Sequence, residues 1–402
     1  MQRLYQALVN EHFAENRQML FLAGPRQVGK TTIALSTESF NLPMCYLNWD
    51  DQATREMIIS GQVAVAEHCG LQQLSDNKMI VIFDEIHKYY GWKNFLKGFF
   101  DGFEKVAHIM VTGSSRLDTY RVGGDSLMGR YFPYRVHPLS LAECIRTSLP
   151  KKEISKPQAH DEDIIERLLT FGGFPEPYMK GSERFNQRWQ MLRYDQLLRE
   201  DIRDMTRIRD LDQLEILAKM LNRQVGQLLN YSNLAKHIQV SSETIKSWLK
   251  TLQGFYYCFL IQPWHTNVSR SLLKQPKCYM WDWSTVEDQG ARYENFIASH
   301  LLKVIQFWQD YGLGRYELYY IRDKEKREVD FVVCKDNEPY ILIESKVSRS
   351  QSLSQSLQYF KQVLNVPYAF QVVYDLPYVD EDCFSVDKPT IVPARTLLSQ
   401  FV

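Results

Sequence analysis

The chain has 402 residues, enough for about two or three domains with sizeable cores. Its 48 basic residues balance its 48 acidic residues, so no overall positive field draws it to nucleic acid, and such a contact requires a local patch. Seven cysteines without a C-x-x-C pair predict reduced thiols and no zinc site. A polar N-terminus and the lack of an apolar run of about 20 residues predict a cytoplasmic protein with no signal peptide and no membrane partner.

The first strong pattern follows a predicted strand, the apolar run 19–23. Residues 24–32 read GPRQVGKTT, which fits the phosphate-binding pattern G-x-x-x-x-G-K-[ST] between a strand and a helix. Its glycines let successive backbone N–H groups face phosphate oxygens, Lys30 supplies the counter-charge, and the Thr31 hydroxyl suits Mg²⁺. We therefore predict that ATP and Mg²⁺ bind at Gly24, Pro25, Arg26, Gln27, Val28, Gly29, Lys30, Thr31 and Thr32.

A second predicted strand, 79–83, ends in Asp84 and Glu85. Five apolar residues in a row suit a parallel strand buried on both faces. At its carboxyl end, Asp84 can hold Mg²⁺ through water, and Glu85 can orient or deprotonate the attacking water. Another predicted strand, 44–47, lies between these two motifs in sequence, which is typical of ATPases that carry a catalytic glutamate.

A third predicted strand, 107–112, leads into Gly113, Ser114 and Ser115. A polar residue at this strand end commonly contacts the γ-phosphate, and either serine fits. Strands that alternate with helices predict a doubly wound α/β sheet, so residues 1–150 are predicted to form a P-loop NTPase core.

The middle of the chain is predicted to be helical. Residues 151–210 form a helical linker or lid, and 211–265 show three helices followed by an aromatic-rich strand, the pattern of a winged helix-turn-helix. Lys246 and Lys250 lie one turn apart on the third helix and could contact DNA phosphates. The alternative is that this segment packs against its neighbours while both lysines are merely solvated.

The last segment, 277–402, has the predicted order αβββαβ. Asp330 lies on the second of these strands, and alternation along the third puts Glu344 and Lys346 on one face. This arrangement resembles the PD-(D/E)xK nuclease superfamily, in which Glu294 matches an acid of the first helix. The resemblance implies catalysis by Glu294, Asp330, Glu344 and Lys346 with a second Mg²⁺ or Mn²⁺ held by Asp330 and Glu344. The alternative is a domain that binds a partner without cutting it.

The whole chain also resembles a group of bacterial and archaeal AAA-type ATPases with a winged helix and a C-terminal nuclease-like domain. The resemblance rests on GPRQVGKTT, IFDEIHK, VTGSSRL, GGFPEP, YMWDWS and REVDFVV with IESK. It implies a homo-oligomer with ATP at subunit interfaces and an arginine supplied by the neighbouring subunit. Arg130 and Arg116 are both candidates for that arginine.

Three functions fit these motifs. The first is a cytoplasmic, Mg²⁺-dependent ATPase that acts on or near DNA. The second is an ATP-controlled oligomeric switch or scaffold whose last domain only binds a partner. The third is a small-molecule kinase, which shares the phosphate-binding loop; the length of the chain and its winged-helix pattern argue against it.

Overall fold

The computed structural model describes residues 1–36, 42–72, 78–113, 127–203, 208, 210–265, 275–349 and 352–402. These residues form two compact units. The first comprises 1–137 with 147–149, and the second comprises 138–146 with 150–402. The finer division of the chain into four parts stays a prediction.

The first unit is built on a five-stranded sheet whose paired strands all run parallel. Its strands are β1 Met19–Ala23, β2 Met44–Asn48, β3 Met79–Asp84, β4 Ala107–Gly113 and β5 Tyr131–Arg135. The helices are α1 Leu4–Glu15, α2 Lys30–Leu35, α3 Gln52–Ser60, α4 Gln62–His68 and α5 Trp92–Phe103, with a 3₁₀ turn at Ile86–Lys88. The predicted α/β sheet is therefore confirmed for this part of the chain.

The strand order is β2-β3-β4-β1-β5. Strand β4 lies between β1, which leads into the GPRQVGKTT loop, and β3, which carries Asp84 at its end. All five residues of β1 are buried, and so are the last five of β3, because both strands are covered on two faces. This order brings the carboxyl ends of three buried strands to one edge of the sheet.

The expectation that every cysteine is a free thiol is wrong for one pair. Cys45 of β2 and Cys69, which follows α4, form a disulfide with a Cα–Cα distance of 5.7 Å. Sequence spacing could not reveal this pair, because the two residues lie 24 positions apart and meet only when α4 packs beside the sheet. The other five cysteines, all within the described residues, keep their thiol groups: Cys144, Cys258, Cys278, Cys334 and Cys383.

The second unit contains a seven-stranded mixed sheet with the order β12-β11-β10-β9-β8-β6-β7. Its strands are β6 Cys258–Pro263, β7 Lys277–Met280, β8 Tyr316–Arg322, β9 Glu328–Lys335, β10 Glu338–Lys346, β11 Tyr368–Val373 and β12 Thr390–Pro393. Strands β8, β9 and β10 are antiparallel neighbours, and β11 joins β10 in parallel.

Helices surround this sheet. They are α6 Leu141–Ile145, α7 Asp163–Phe171, α8 Pro175–Lys180, α9 Glu183–Asp195, α10 Leu211–Arg223, α11 Tyr231–Ile238, α12 Ser242–Gly254, α13 Gln289–Asp310, α14 Gln355–Leu364 and α15 Ala394–Ser399. A π-helical segment covers Gln196–Ile202, and 3₁₀ turns cover Trp283–Thr285 and Cys383–Ser385. From α13 to β11 the order is αβββαβ, as the sequence predicts.

Three helices, α10 to α12, precede the β6–β7 pair. The first of them ends at Arg223, and β6 pairs antiparallel with β7. Strand β6 also pairs in parallel with β8 over two residues, so this segment shares its sheet with the αβββαβ segment. Whether the three helices and two strands act as a winged helix stays a prediction.

Among the described residues of the second unit, two lysines are buried. Lys303 of α13 is 1% exposed, pairs with the carboxylate of Glu143 and donates to the Pro138 carbonyl at 3.1 Å. Lys277 begins the fully buried strand β7. Because a buried ammonium must be paired, each lysine marks a position where the fold supplies acceptors.

None of the helices in the described ranges is both long and apolar enough to cross a bilayer.

Candidate functional site

The GPRQVGKTT loop connects β1 to α2 with the backbone that its glycines permit. Gly24 lies against the Val136 carbonyl, and a Cβ atom at this position would overlap that oxygen. Gly29 has φ 95° and caps α2 in the left-handed region, which side chains rarely tolerate. The sequence reading of a strand, a glycine loop and a helix is confirmed here.

Lys30 is buried at the first turn of α2, with 6% of its surface exposed. Its Nζ atom donates to the carbonyl oxygens of Gly24 at 2.9 Å and Pro25 at 2.7 Å. The ammonium group is therefore held over the loop by backbone acceptors. A phosphate oxygen in that position would offer the same group a charged acceptor, which forms the stronger hydrogen bond.

The carboxylate of Asp84 accepts hydrogen bonds from hydroxyl groups on three different elements, namely α2, β2 and β4. Its Oδ2 atom accepts from Thr31 Oγ1 at 2.9 Å and from the Tyr46 hydroxyl at 2.7 Å, and its Oδ1 atom accepts from Thr112. The pairing of β3 with β4 sets Asp84 opposite Thr112. A threonine hydroxyl and a carboxylate in direct contact are oxygen ligands of the kind Mg²⁺ takes beside phosphates, so the expected ion fits this site.

Tyr46 belongs to this arrangement, although no motif in the amino-acid sequence pointed to it. Burial, followed by the hydrogen bond to Asp84, raises the pKa of its hydroxyl well above the usual value. The group therefore stays a neutral donor at physiological pH and fixes the carboxylate of Asp84. Only the pairing of β2 beside β3 could identify it, since an isolated tyrosine in an apolar run has no distinguishing pattern.

Glu85 directly follows β3 in a strained conformation. Its φ of 57° lies in the left-handed region, which few residues other than glycine adopt, and its N–H donates to Thr112 O at 3.0 Å. Its carboxylate lies 3.4 Å from Lys88 Nζ, and that ammonium also contacts Asp50 at 2.6 Å. Strain of this kind is concentrated at functional sites, where surrounding contacts hold it in place.

The guanidinium group of Arg3 donates to the backbone of the GPRQVGKTT loop, and the sequence analysis did not identify it. Arg3 precedes α1 and is buried; it donates to Val28 O at 2.6 Å and to His137 O at 2.7 Å. Nearby, the Tyr5 hydroxyl accepts from His137 N at 3.0 Å. Arg3 thus joins the phosphate-binding loop to the chain that follows β5.

The remaining predicted nucleotide contacts differ in where they lie. Ser114, Ser115 and Arg116 fall outside the described residues. Arg130 lies just before β5, and its carbonyl accepts from Met19 N at the start of β1. Since β1 and β5 are parallel, Arg130 is at the edge of the sheet opposite the loop. Its guanidinium pairs with Asp101 at 2.7 Å.

The four residues of the predicted C-terminal site do come together. Asp330 on β9 contributes to the electrostatic environment of Glu294 on α13 and of Glu344 on β10. Lys346 Nζ lies 2.9 Å from Glu344 Oε1, and Asp330 accepts from the N–H and the hydroxyl of Ser345, both at 2.9 Å. Topology therefore brings together acids that are 50 positions apart in sequence.

The same cluster holds residues that the sequence reading missed. Lys277 Nζ contacts Glu294 and Asp330 as well as Glu328, and the Tyr279 hydroxyl donates to Glu294 at 2.8 Å. Within the part of the chain that the structure describes, no group of three or more His, Cys, Asp or Glu side chains is arranged to hold a metal ion. The expected second Mg²⁺ or Mn²⁺ site at Asp330 and Glu344 is thus not supported by the described residues.

Family models match three consecutive parts of the chain. Residues 16–145 match the model described as an AAA domain, 162–287 match a domain of unknown function (DUF8612), and 289–385 match another domain of unknown function (DUF4143). The AAA match covers the loop, Asp84 and Glu85, and it supports a P-loop ATPase domain in this part of the chain. It agrees with ATP as the ligand of the loop.

Relatives and solved structures extend over more of the chain at low identity. An uncharacterized protein of Mycobacterium tuberculosis is 22% identical over 355 residues, which cover 85% of this chain and 73% of that protein. An uncharacterized protein of Methanocaldococcus jannaschii is 23% identical over 341 residues, or 80% and 73% of the two chains. Among solved structures, the Walker-type ATPase of Pyrococcus abyssi has a TM-score of 0.43 and 15% identity, covering 72% of this chain and 94% of its own.

Replacing Arg3 tests its role behind the loop. Arg3→Met leaves the carbonyls of Val28 and His137 without their charged donor, and each lost bond is worth about 1.5–3 kcal/mol. We expect a lower unfolding temperature and about tenfold weaker ATP binding, measured by thermal unfolding and calorimetry, since a displaced loop misplaces its phosphate donors.

The matched control is Arg17→Met, because Arg17 forms an exposed ion pair with Glu104 that contributes little. Unchanged ATP affinity in Arg3→Met, despite a lower unfolding temperature, would restrict Arg3 to a structural role.

Proposed function

We propose that this chain is a Mg²⁺-dependent ATP hydrolase. The observation that carries the proposal is the hydrogen bond of 2.9 Å from Thr31 to Asp84, which joins the end of the glycine loop to the end of β3. These are the two groups that must share one magnesium ion if the loop holds the phosphates. The AAA match over the same residues supports this function.

Each residue has a distinct role in the proposed reaction. The loop N–H groups and Lys30 bind the β- and γ-phosphates, and Thr31 with Asp84 positions Mg²⁺, which neutralises charge on the phosphate oxygens. Glu85 orients the water that attacks the γ-phosphorus and accepts its proton. Lys88, which contacts Glu85 at 3.4 Å, helps to hold that carboxylate in place.

Two substitutions separate binding from chemistry. Lys30→Ala removes the phosphate counter-charge and should abolish ATP binding or hydrolysis. Glu85→Gln keeps the shape of the side chain but not its basicity, so ATP should still bind while turnover falls by roughly 10²-fold or more. The control is Glu67→Gln, an exposed residue of α4. Wild-type turnover in Glu85→Gln would assign the base elsewhere.

We further propose that the active species is a homo-oligomer in which Arg130 acts on the neighbouring subunit's nucleotide. Its position at the edge of the sheet opposite the loop supports action between subunits, provided that Arg130 leaves Asp101. An arginine supplied in this way is worth about 10³ in rate. Mixing Arg130→Ala with Glu85→Gln chains should restore part of the activity at hybrid interfaces. No rescue, with a monomeric mass in the presence of ATP, would contradict this assembly.

DNA is the proposed partner of the middle segment. Helix α12 buries Ile245, Trp248, Leu249 and Leu252, which leaves Lys246 and Lys250 exposed on its other side. Lys246 already contacts Glu243 at 3.0 Å, so the free positive charge of this face is small.

Charge reversal tests this partner. The double variant Lys246→Glu with Lys250→Glu should bind DNA more weakly and with a flatter salt dependence, because fewer counterions are released. DNA should stimulate ATP turnover in the wild type and less so in this variant. The control is Lys151→Glu with Lys152→Glu, two exposed lysines of the same unit. Equal affinity and salt slope in both double variants would leave α12 with a packing role only.

A second function has its own supporting observation. In an ATP-controlled switch or scaffold, the last domain binds a partner and cleaves nothing. The ion pairs that Lys277 makes with the acids of the predicted nuclease site favour this alternative for the C-terminal segment. Slow ATP turnover that DNA leaves unchanged would support the switch over the DNA-directed ATPase.

A further inference from the structure

The ammonium group of Lys277 is enclosed by the acids of the C-terminal cluster. Lys277 is 3% exposed, and all four residues of its strand β7 are buried. Its Nζ atom lies 2.7 Å from Glu328 Oε1, 3.3 Å from Glu294 Oε1 and 3.7 Å from Asp330 Oδ1. Glu328 and Asp330 are two positions apart on β9 and so point to the same face of the sheet. One cation thus contacts carboxylates from two elements.

The electrostatics of the cluster agree with a resident cation. Although burial alone would lower the pKa of Lys277, the three carboxylates raise it above its usual value, so the group stays charged. Burial, together with the charge of Asp330, raises the pKa of Glu294 to about 7. The Tyr279 hydroxyl donates to Glu294, and Ser345 donates twice to Asp330.

The charges of the cluster nearly cancel without any other ion. Its four carboxylates, Glu294, Glu328, Asp330 and Glu344, face the cations Lys277, Arg322 and Lys346. One excess negative charge remains, which is half the charge that a divalent ion would bring. A divalent ion would therefore find little uncompensated negative charge at this site.

A divalent metal ion also requires a ligand geometry that differs from the arrangement of these carboxylates. Mg²⁺ demands near-octahedral oxygen ligands at about 2.0–2.1 Å, and it keeps waters that need space. Here the carboxylates of Glu294 and Asp330 already accept hydrogen bonds from Lys277, Tyr279 and Ser345. A metal ion could enter only after a buried ammonium group had been expelled, which would leave that charge unpaired.

We propose that the ammonium group of Lys277 permanently occupies the position that a metal ion would take in this cluster. The C-terminal domain then holds ion pairs in place of a metal ion and does not cut nucleic acid. The acids then stabilise the packing of β7 and α13 against β9. Lys277 on β7 contacts Glu294 on α13, and it also contacts Glu328 and Asp330 on β9. The domain is left with a binding or structural role, whichever nucleotide chemistry the first unit performs.

The experiment uses the full chain carrying Asp84→Ala, without nucleotide, so that the site in the first unit does not bind the probe. Mn²⁺ is titrated by calorimetry and followed by electron paramagnetic resonance. With Lys277 present, we expect no Mn²⁺ site that depends on Asp330. With Lys277→Met, one Mn²⁺ per chain should bind at least about tenfold more tightly than when Asp330→Asn is added. The reason is that the four acids of the cluster then face only two cations, Arg322 and Lys346.

Thermal unfolding gives an independent measurement and a matched control. Mn²⁺ should raise the unfolding temperature of Lys277→Met by several degrees and leave that of the Lys277 chain unchanged. Lys303→Met also removes a buried, carboxylate-paired lysine of this unit, and it should be destabilised without recovery in Mn²⁺.

Two results would overturn the proposal. One is an Asp330-dependent Mn²⁺ site, or Asp330-dependent DNA cleavage, in the chain that keeps Lys277. The other is a folded Lys277→Met chain that gains neither Mn²⁺ binding nor thermal recovery. If Lys277→Met does not fold, Lys277→Arg keeps the charge, and Asp330-dependent Mn²⁺ binding in that variant would overturn the proposal equally.

Discussion

The carboxylate of Asp84 is the point on which the first unit depends. Its two oxygen atoms accept hydrogen bonds from the hydroxyl groups of Thr31, Tyr46 and Thr112, which belong to α2, β2 and β4. A buried carboxylate without donors would be costly to desolvate, so these contacts both stabilise the sheet edge and orient the acid. Strand order brings the loop and the end of β3 to one edge of the sheet, and the hydrogen bond from Thr31 to Asp84 joins them past the intervening β4.

The backbone at the same edge of the sheet has φ angles that residues rarely adopt unless surrounding contacts hold them. Gly29 and Glu85 both have positive φ angles, and Gly24 sits against the Val136 carbonyl. Arg3 ties the loop to the chain after β5 from the buried side. Such strain and buried polar contacts hold the groups of a site in position before the ligand binds.

The second unit uses buried charge differently. Lys303 with Glu143, and Lys277 with its three acids, satisfy ammonium groups that water cannot reach. Such pairs are weak evidence for stability, but removing one partner is strongly destabilising because a charge is then left alone. An αβββαβ order with acids on adjacent strands therefore does not by itself identify a metal site; the charge of the surrounding side chains decides whether an ion is needed.

The amino-acid sequence by itself determined the local features of this protein. Glycine spacing, apolar runs and the acids that follow them predicted the loop, strands β1, β3 and β4, and the αβββαβ order, because these depend on neighbours within a few residues. Only the tertiary structure decided which distant groups meet: Tyr46 and Thr112 at Asp84, Arg3 behind the loop, Cys45 with Cys69, and Lys277 among Glu294, Glu328 and Asp330. These contacts arise from strand order and helix packing, for which a single sequence carries no local signal.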